Sequence, residues 1–443
     1  MGQGGFITLV NGTPYDWTNI QQHSYQMNSW GFPATIPAWK TAQVYVEWDQ
    51  NAFDNQSDDA GEVVYSLNGT PFTFQVQARN TNGFDLQVCF TNLATSGNPQ
   101  GSTLSLGWSH DGSVAFVLAG ESGNFTGNVV PAGWMQHNLG QLGGRTLREL
   151  CIPGSHDSGM SVVNGRTAFA FPCSVITQTT SILGQLTLGA RYFDIRPVIS
   201  GGQYFTGHYS DITQINSWQG ANGESIAQVI SDVNSFTAVN KELVILYLSH
   251  DYNTDVGNSS YRAFTQQEYN GLLAQLGGLN NLYAVANPGD LTQIQLNDFI
   301  GQNKAAVIVV VDAPGITVGD AYFGKGFYLP ANFPVFNQYS DTNDAAQMVS
   351  GQLGKMKEQR TSPTSSYFLL SWTLTQDGTQ ATTCEMGAAS ILDLAAEADP
   401  LIYQDLLPAC SPQTYPNILY IDNINSGAIT ALAMAVNTLA ING

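Results

Sequence analysis

The hydrophobic pattern of the chain changes once, around Val130-Pro-Ala-Gly-Trp134, and this change divides the 443 residues into two parts. Before it, short stretches alternate apolar and polar side chains, which is the period of half-buried β-strands. After it, continuous Val/Ile/Leu runs alternate with amphipathic helical stretches, which indicates a parallel sheet buried on both faces. We therefore expect two domains, residues 1–130 and residues 131–443.

The first part predicts an all-β sandwich that serves as an accessory domain. Residues 43–49 alternate in polarity, and Asn68-Gly69 lies between two further alternating runs, which is a strong hairpin signal. Asp111-Gly112 predicts a second hairpin, which would join residues 103–108 to 113–117. Many short strands at close spacing favour two packed antiparallel sheets.

The second part predicts a TIM-type α/β barrel. Six strands are clear, at residues 147–152, 191–195, 243–248, 307–311, 367–370 and 418–421. Helices are expected at residues 225–239, 265–276, 345–357, 390–406 and 428–440. A closed barrel suits this length better than a doubly wound sheet, since no GxGxxG follows the first strand. Two weak strands are then expected near Tyr283 and Phe327, unless the barrel is irregular.

The charge of the chain restricts its partners. The formal net charge is −20, with only 14 lysines and arginines, so no basic cluster is available to bind nucleic acid. Anionic bilayers should repel such a surface, so we expect at most transient peripheral contact with a membrane. The N-terminus has neither a basic nor an apolar leader region, which predicts no signal peptide, and no apolar run is long enough to span a membrane. Cytoplasmic and externalised locations both stay open.

The five cysteines are widely spread and form no CxxC pair, so a zinc site is not expected. The odd number leaves at least one thiol unpaired. Buried free thiols are the simpler interpretation, and a bridge between Cys384 and Cys410 is the alternative.

Polar residues that suit phosphate chemistry follow the predicted strands. His156 and Asp157 come after the first strand, Asp194 and Arg196 end the second, and His208 follows soon afterwards. In a parallel barrel, the carboxyl ends of the strands meet at one face. We therefore expect these five side chains to share one site.

These residue types match the demands of phosphodiester cleavage. The reaction requires a base for the attacking hydroxyl, an acid for the leaving alkoxide and positive charge on the non-bridging oxygens. Two histidines can transfer protons near neutral pH, and a guanidinium fork matches two phosphate oxygens. A carboxylate beside an imidazole fixes its tautomer and supports its cation.

Four motifs resemble the X-type domain of phosphatidylinositol-specific phospholipases C, with bacterial and fungal members most similar in pattern. They are PGSHDSGM at residues 153–160, RYFDIRP at 191–197, Gly-His at 207–208 and Leu-Tyr-Ile-Asp at 419–422. The resemblance covers the chain from about residue 134 onward and implies a phosphoric diester hydrolase with a barrel fold. The first 130 residues resemble, less closely, the N-terminal part of fungal phospholipase-C-like phosphodiesterases.

The resemblance implies that His156 is the general base and that a carboxylate from the last strand orients it. Asp422 is placed in that role, although Asp312 also ends a strong strand. His208 would be the general acid.

The same resemblance implies that Asp157 pairs with the general acid, that Arg196 holds the phosphate and that Asp194 supports the arginine. In that family the inositol hydroxyl beside the phosphate is the nucleophile, and the products are a cyclic phosphate and diacylglycerol.

The head-group contacts depart from the family pattern. The bacterial enzymes have a lysine after the third strand, whereas residues 248–251 here contain none, and residues 371–375 offer no clear sugar-binding carboxylate and tyrosine. His250, Asp251 and Trp372 are candidate substrate-binding residues. We expect a phosphodiester substrate with a lipid head group that need not be inositol.

Two alternatives remain. A metal-dependent glycerophosphodiesterase or sphingomyelinase-D-like enzyme would need a Glu-x-Asp pair for its cation, whereas here Arg196 follows Asp194 on the same strand face. We therefore expect no metal and no cofactor. A non-catalytic lipid- or glycan-binding protein is the other alternative, and the oligomeric state stays open.

Overall fold

The computed structural model describes residues 2–51, 53, 55–212 and 216–443. The chain forms two compact units, one of residues 1–130, 399–415 and 426–443 and the other of residues 131–398 and 416–425. The expected division at residue 130 stays a prediction about independent domains, and the compact units add two C-terminal segments to its first part. None of the helices in the described residues combines the length and apolar character that a membrane span needs.

The first unit contains eleven strands among its described residues. They are β1 (Gln3–Gly12), β2 (Trp17–Tyr25), β3 (Met27–Trp30), β4 (Thr35–Ile36), β5 (Thr41–Trp48), β6 (Ala60–Leu67), β7 (Thr73–Arg79), β8 (Asp85–Cys89), β9 (Thr103–Gly107), β10 (Ser113–Glu121) and β11 (Asn124–Thr126). They form a five-stranded sheet in the order β11-β10-β1-β5-β3 and a six-stranded sheet in the order β4-β2-β6-β7-β8-β9.

The two sheets share one apolar core, because alternate residues of their strands point inward. Phe74 from β7 and Phe116 from β10 contact across the core, with ring centroids 5.3 Å apart. The hairpin at Asn68-Gly69 is confirmed by the antiparallel pairing of β6 with β7. The arrangement agrees with a sandwich, although that class stays a prediction.

Two details of this unit differ from the sequence prediction. The hairpin at Asp111-Gly112 is wrong, because β9 and β10 belong to different sheets. The chain crosses between the layers there, and β10 pairs in parallel with β1, so the five-stranded sheet is mixed. A turn does form at this dipeptide, where the backbone N–H of Gly112 donates to the carbonyl of Ser109 at 3.0 Å, but a turn alone does not specify which strands pair.

The second unit carries the α/β pattern. Its strands are β12 (Ile152–Ser155), β13 (Tyr192–Ile195), β14 (Pro197–Ser200), β15 (Gln203–Ile212), β16 (Ser217–Ser225), β17 (Leu243–Leu248), β18 (Tyr252–Asn253), β19 (Ala306–Val311), β20 (Phe327–Tyr328), β21 (Val335–Asn337), β22 (Tyr367–Trp372) and β23 (Ile418–Ile421).

The helices follow in chain order. They are α1 (Trp134–His137), α2 (Leu139–Leu142), α3 (Ile182–Leu188), α4 (Ile226–Val239), α5 (Gln266–Leu276), α6 (Leu296–Ile300), α7 (Ala345–Gln359), α8 (Gly378–Thr383), α9 (Ile391–Ala409) and α10 (Ala428–Asn442). The last helix belongs to the first unit and packs on β1 and β10. Gly12 permits this approach, because a Cβ atom there would lie 2.3 Å from the Cβ of Ala435.

Eight strands of the second unit form one parallel sheet in the order β20-β19-β17-β13-β12-β23-β22-β21. The number and direction of the strands agree with the predicted barrel, and the sheet curls as a barrel sheet does. No ladder joins β20 to β21 within the described ranges, so closure is not seen there.

Two of the strand predictions need correction, one weak strand is confirmed, and one strand was not predicted. The first strand begins at Ile152, because residues 147–149 form a 3₁₀ turn. Of the two weak strands, Phe327 lies in β20, whereas Tyr283 is not in a strand and its neighbour Leu282 makes only an isolated bridge. The eighth strand is β21, which is too short to give a periodic signal.

One predicted helix start and one suggested disulfide can be compared with the structure. Thr265 caps α5 and Glu268 completes the capping box, as predicted. The suggested bridge between Cys384 and Cys410 is wrong, since Cys384 is bonded to Cys173, 211 residues earlier in the chain. Sequence spacing could not have found a pair so far apart.

Candidate active site

His156 lies at the carboxyl end of β12, where the parallel ladder with β23 places it beside Asp422. Its backbone N–H donates to the carbonyl of Ile421 at 3.0 Å, which continues the ladder by one residue. Its Nδ1 lies 2.7 Å from Oδ1 of Asp422. Because a carboxylate only accepts, Nδ1 carries the proton and Nε2 keeps its lone pair. Asp422 therefore fixes the tautomer of His156.

A second imidazole–carboxylate pair is formed by His208 and Asp157, with His208 Nδ1 2.7 Å from Asp157 Oδ2. His208 returns to the site on a hairpin: β14 leaves the end of β13, and β15 pairs with it in antiparallel register. Gly201 and Gly202 make the turn, with φ angles of 59° and 70° that favour glycine. Asp157 also has a positive φ of 39°, which is uncommon for an aspartate and holds its buried side chain toward the site.

Arg196 connects the two pairs. Its Nη2 donates to His156 Nε2 at 2.8 Å, and its Nη1 lies 3.4 Å from Asp157 Oδ2. Its Nε donates to Asp194 Oδ2 at 3.0 Å. The side chain is 18% exposed, so one guanidinium touches both pairs and is still accessible from the cavity.

Asp194 is the most heavily hydrogen-bonded carboxylate of the site. Besides Arg196, its oxygens accept from the Tyr420 hydroxyl at 2.6 Å, from Ser249 Oγ at 3.1 Å and from the backbone N–H of Asp157 at 3.1 Å. These bonds join the ends of β12, β13, β17 and β23. Asp194 thus supports Arg196 from a rigid frame.

The electrostatics of the site favour charged partners. Burial alone would lower the pKa of His156, but the Asp422 carboxylate outweighs it and raises that pKa overall. Burial would likewise raise the pKa of Asp194, yet Arg196 holds it well below its usual range. Burial opposes the charge of Arg196, and Asp194 and Asp157 overcome it, so the pKa of Arg196 is raised. The arginine is therefore a permanent cation.

His156, His208 and Arg196 all line one cavity of about 1080 Å³ at the carboxyl ends of the strands. His250 lines it, with a positive φ of 53° and its Nδ1 donating to Ser249 Oγ at 2.8 Å. Burial and then Arg196 lower the pKa of His250. Asp312, the alternative partner for His156, instead accepts from the Tyr247 hydroxyl at 2.9 Å.

Two of the candidate substrate-binding residues are not brought to this cavity. Trp372 is 1% exposed, and its indole N–H donates to the carbonyl of Ala398 at 2.9 Å. Asp251 is buried and accepts from the backbone N–H of Phe264. Side chains alternate along an extended chain, so the residues next to them, Ser371 and His250, are the ones that line the cavity. Substrate contact by Trp372 or Asp251 would require another arrangement.

Sequence reasoning missed two residues of the network. Tyr420 lies two residues before Asp422 on β23, so the period of a strand predicts that both point to the same face. Ser249 follows β17 and gave no signal of its own. Among the described residues, no group of three or more His, Cys, Asp or Glu side chains is arranged to hold a metal ion, and independence from metals stays a prediction.

Over part of its length the chain is similar to curated proteins that carry a PI-PLC X domain. A PI-PLC X-box domain-containing protein of Dictyostelium discoideum is 31% identical over 140 residues, which cover 28% of this chain and 17% of that protein. A PI-PLC X domain-containing protein of the same organism is 34% identical over 76 residues, 14% of this chain and 13% of the relative. The matches thus span less than a fifth of either relative.

Solved structures with some similarity include phosphatidylinositol-specific phospholipases C. That of Staphylococcus aureus has a TM-score of 0.47 and 17% identity, and the match covers 70% of this chain and 97% of that one. That of Listeria monocytogenes has a TM-score of 0.44 and 16% identity, with 67% and 95% covered. No family model matches the chain.

Proposed function

We propose that the second unit cleaves phosphodiesters by acid–base catalysis, as a phospholipase-C-type enzyme. His156 is the general base, His208 is the general acid and Arg196 binds the phosphate. The observation that carries the proposal is the pair of imidazole–carboxylate contacts that meet at one guanidinium, all open to the same cavity.

The base step starts with the lone pair of His156 Nε2 occupied by a hydrogen bond. Without substrate, Arg196 Nη2 donates to the lone pair of His156 Nε2. A phosphate that accepts hydrogen bonds from Arg196 draws the guanidinium away and frees Nε2. The nucleophilic hydroxyl then passes its proton to Nε2 as its oxygen bonds to phosphorus, and Asp422 stabilises the imidazolium that forms.

The acid step uses the other pair. The Nδ1 proton of His208 faces Asp157, so a protonated His208 presents Nε2–H to the leaving oxygen. As the bond from phosphorus to this oxygen breaks, the proton moves to it and the leaving group departs as an alcohol. Arg196 stabilises the negative charge that builds on the non-bridging oxygens meanwhile.

The substrate proposed is a phosphodiester with a lipid head group, met during transient peripheral contact with a membrane. The nucleophile is a hydroxyl beside the phosphate, which would give a cyclic phosphate, or a water molecule, which would not. The lack of a lysine after β17 supports a head group bound differently from that of the bacterial enzymes.

Phosphorus NMR of product mixtures tests the proposal directly. A panel of phosphodiester lipids is incubated with the wild-type chain and with a His156→Ala/His208→Ala double variant. We expect cleavage of at least one lipid by the wild type only, and a transient cyclic phosphate identifies an internal nucleophile. Equal product formation by the double variant, or no cleavage of any lipid, would refute the proposal.

A metal-dependent reaction is the competing enzymatic proposal, and the contacts of Arg196 argue against it. A divalent ion held by Asp157 and Asp194 would lie within a few ångströms of the guanidinium that already contacts both carboxylates. We expect activity to survive excess EDTA. Loss of activity on chelation, restored by calcium or magnesium, would favour the metal-dependent enzyme instead.

A further inference from the structure

Asp312 differs from the other carboxylates at the carboxyl ends of the strands. It lines the cavity and is partly exposed, but it forms no ion pair among the described residues. Its Oδ2 accepts from the Tyr247 hydroxyl at 2.9 Å, and its Oδ1 has no hydrogen-bond partner within the described ranges. A carboxylate oxygen that faces a cavity without a partner is available to a ligand.

The strand register fixes how far Asp312 lies from the phosphate-binding residue. Ile195 of β13 pairs with Leu248 of β17, which pairs with Val311 of β19, so the next residue in each strand lies in one row. That row runs from Arg196 through Ser249 to Asp312. Neighbouring strands are about 4.8 Å apart, which places the backbones of Arg196 and Asp312 roughly 10 Å apart. A head group whose phosphate binds Arg196 can therefore reach Asp312.

The charged side chains around this row are mostly carboxylates. Among the described residues that line the cavity, Arg196 is the sole arginine and there is no lysine, while the carboxylates include Asp194, Asp312, Asp377 and Asp422. A second phosphate on the head group would approach Asp312 without a fixed cation to balance it. A hydroxyl or an ammonium group would instead donate a hydrogen bond to the carboxylate.

We infer that Asp312 is a specificity-determining residue, which selects head groups that end in hydrogen-bond donors and disfavours a second phosphate. This inference rests on the proposed function for the direction in which the substrate lies. The donor can come from a polyol hydroxyl or from an ammonium group, and the carboxylate recognises both because it only accepts. Tyr247 holds the carboxylate in place through its hydroxyl.

Binding of soluble head-group phosphates tests the inference without requiring turnover. Calorimetry gives the Kd of inositol 1-phosphate, phosphoethanolamine and inositol 1,4-bisphosphate for the wild type, for Asp312→Asn and for Asp320→Asn. The last variant makes the same charge change at an exposed position outside the cavity lining. We expect the wild type to bind at least one monophosphate about tenfold or more tightly than the bisphosphate.

Asp312→Asn should reduce that preference to about threefold or less, while Asp320→Asn leaves it unchanged. If the donor is an ammonium group, the variant weakens phosphoethanolamine about tenfold, because the ionic attraction is lost. If the donor is a hydroxyl, inositol 1-phosphate weakens much less, because the amide oxygen still accepts. An unchanged preference in Asp312→Asn, or no binding of any of the three by the wild type, would overturn the inference.

The outcome is separable from that of the proposed function. These ligands are monoesters, so their binding does not depend on cleavage. Monophosphate binding that responds to Asp312→Asn without turnover of any phosphodiester would refute the function alone. Turnover with the same head-group preference in Asp312→Asn and wild type would refute the inference alone.

Discussion

Two regions of the second unit bury a carboxylate to almost the same extent and treat it in opposite ways. At the end of the cavity where His156, His208 and Arg196 meet, Asp194 is 5% exposed, and behind the loop of residues 157–161, Glu224 is 4% exposed. Arg196 overcomes the effect of burial and holds the pKa of Asp194 well below its usual range. Burial, with a smaller contribution from nearby Asp232, raises the pKa of Glu224 to about 7.

The difference teaches that a cationic partner, more than depth, decides the charge of a buried carboxyl group here. Oε1 of Glu224 accepts from Ser161 Oγ at 2.7 Å and from the backbone N–H of Ile182 at 3.3 Å, while its buried Oε2 has no partner among the described residues. No cation is bonded to it there. The first region is organised for charge and the second for a neutral acid, and the following predictions test that contrast.

The largest effect is expected from removing either histidine of the proposed acid–base pair. His156→Ala and His208→Ala should each lower kcat/KM on a soluble phosphodiester by about 10²–10⁴-fold, the usual contribution of general acid–base catalysis. His110→Ala, in the first unit, is the matched control and should leave the rate unchanged. Circular dichroism should show that all three variants are folded. A near-normal rate in either site variant would mean that its pair is structural.

A smaller loss is expected from Arg196→Lys, which keeps the positive charge but not the fork. Lysine cannot donate to Asp194, Asp157 and a phosphate in one plane, so we expect kcat to fall about 10²–10³-fold. Arg262→Lys changes an exposed arginine that pairs with Glu268 and should have no such effect. Retained activity in Arg196→Lys would show that the charge alone is sufficient.

Asp422→Asn should alter the pH dependence more than the size of the rate. Asp422 raises the pKa of His156, whereas burial and Arg196 lower it, so removing the carboxylate lowers this pKa. His156 must be neutral to act as a base, and activity therefore rises as the pH passes through its pKa. The acidic limb of the kcat/KM profile should move to lower pH in Asp422→Asn and stay in place in Asp320→Asn. A limb that does not move would assign it to another group.

The cluster of side chains around Arg196 could be predicted from sequence because its members are concentrated in short motifs. His156, Asp157, Asp194 and Arg196 lie within one residue or two of strand ends, and strand ends are visible as the limits of apolar runs. Parallel pairing then brings them together without further information. The choice of Asp422 as the partner of His156 depended on the resemblance as well, because Asp312 also follows a clear strand. Only the strand order, in which β23 and not β19 lies beside β12, distinguishes the two aspartates.

The region behind the site could not be predicted, because its contacts join segments far apart in the chain. Nothing around Glu224 indicates that β16 would bury it against Ser161, 63 residues earlier. The disulfide between Cys173 and Cys384 likewise joins segments that are far apart in the chain. The hairpin that returns His208 was also missed, since residues 197–212 lack the long apolar run that marked the other strands.

The smallest expected effect is a change in the free energy of unfolding when Glu224 is replaced by glutamine. Its pKa is 4.5 in an unfolded chain and about 7 in the folded one. The folded state therefore holds a proton that the unfolded state has released between these values, and the wild type loses stability as the pH rises from about 4.5 to 7. Glu224→Gln removes this loss but keeps an oxygen that can accept from Ser161 and Ile182. Relative to the wild type, the variant should gain about 1–3 kcal/mol between pH 5 and pH 8.

Melting temperatures at pH 5 and pH 8 measure this gain. Glu268→Gln is the control, because the pKa of Glu268 is lowered where that of Glu224 is raised. Glu268 is bonded to Arg262, which lowers the pKa of Glu268 to about 2, so it is ionised at both pH 5 and pH 8. Its replacement should lower the melting temperature by a similar amount at both. If Glu224→Gln also changes the melting temperature equally at pH 5 and pH 8, Glu224 is charged in the folded state and the contrast with Asp194 fails.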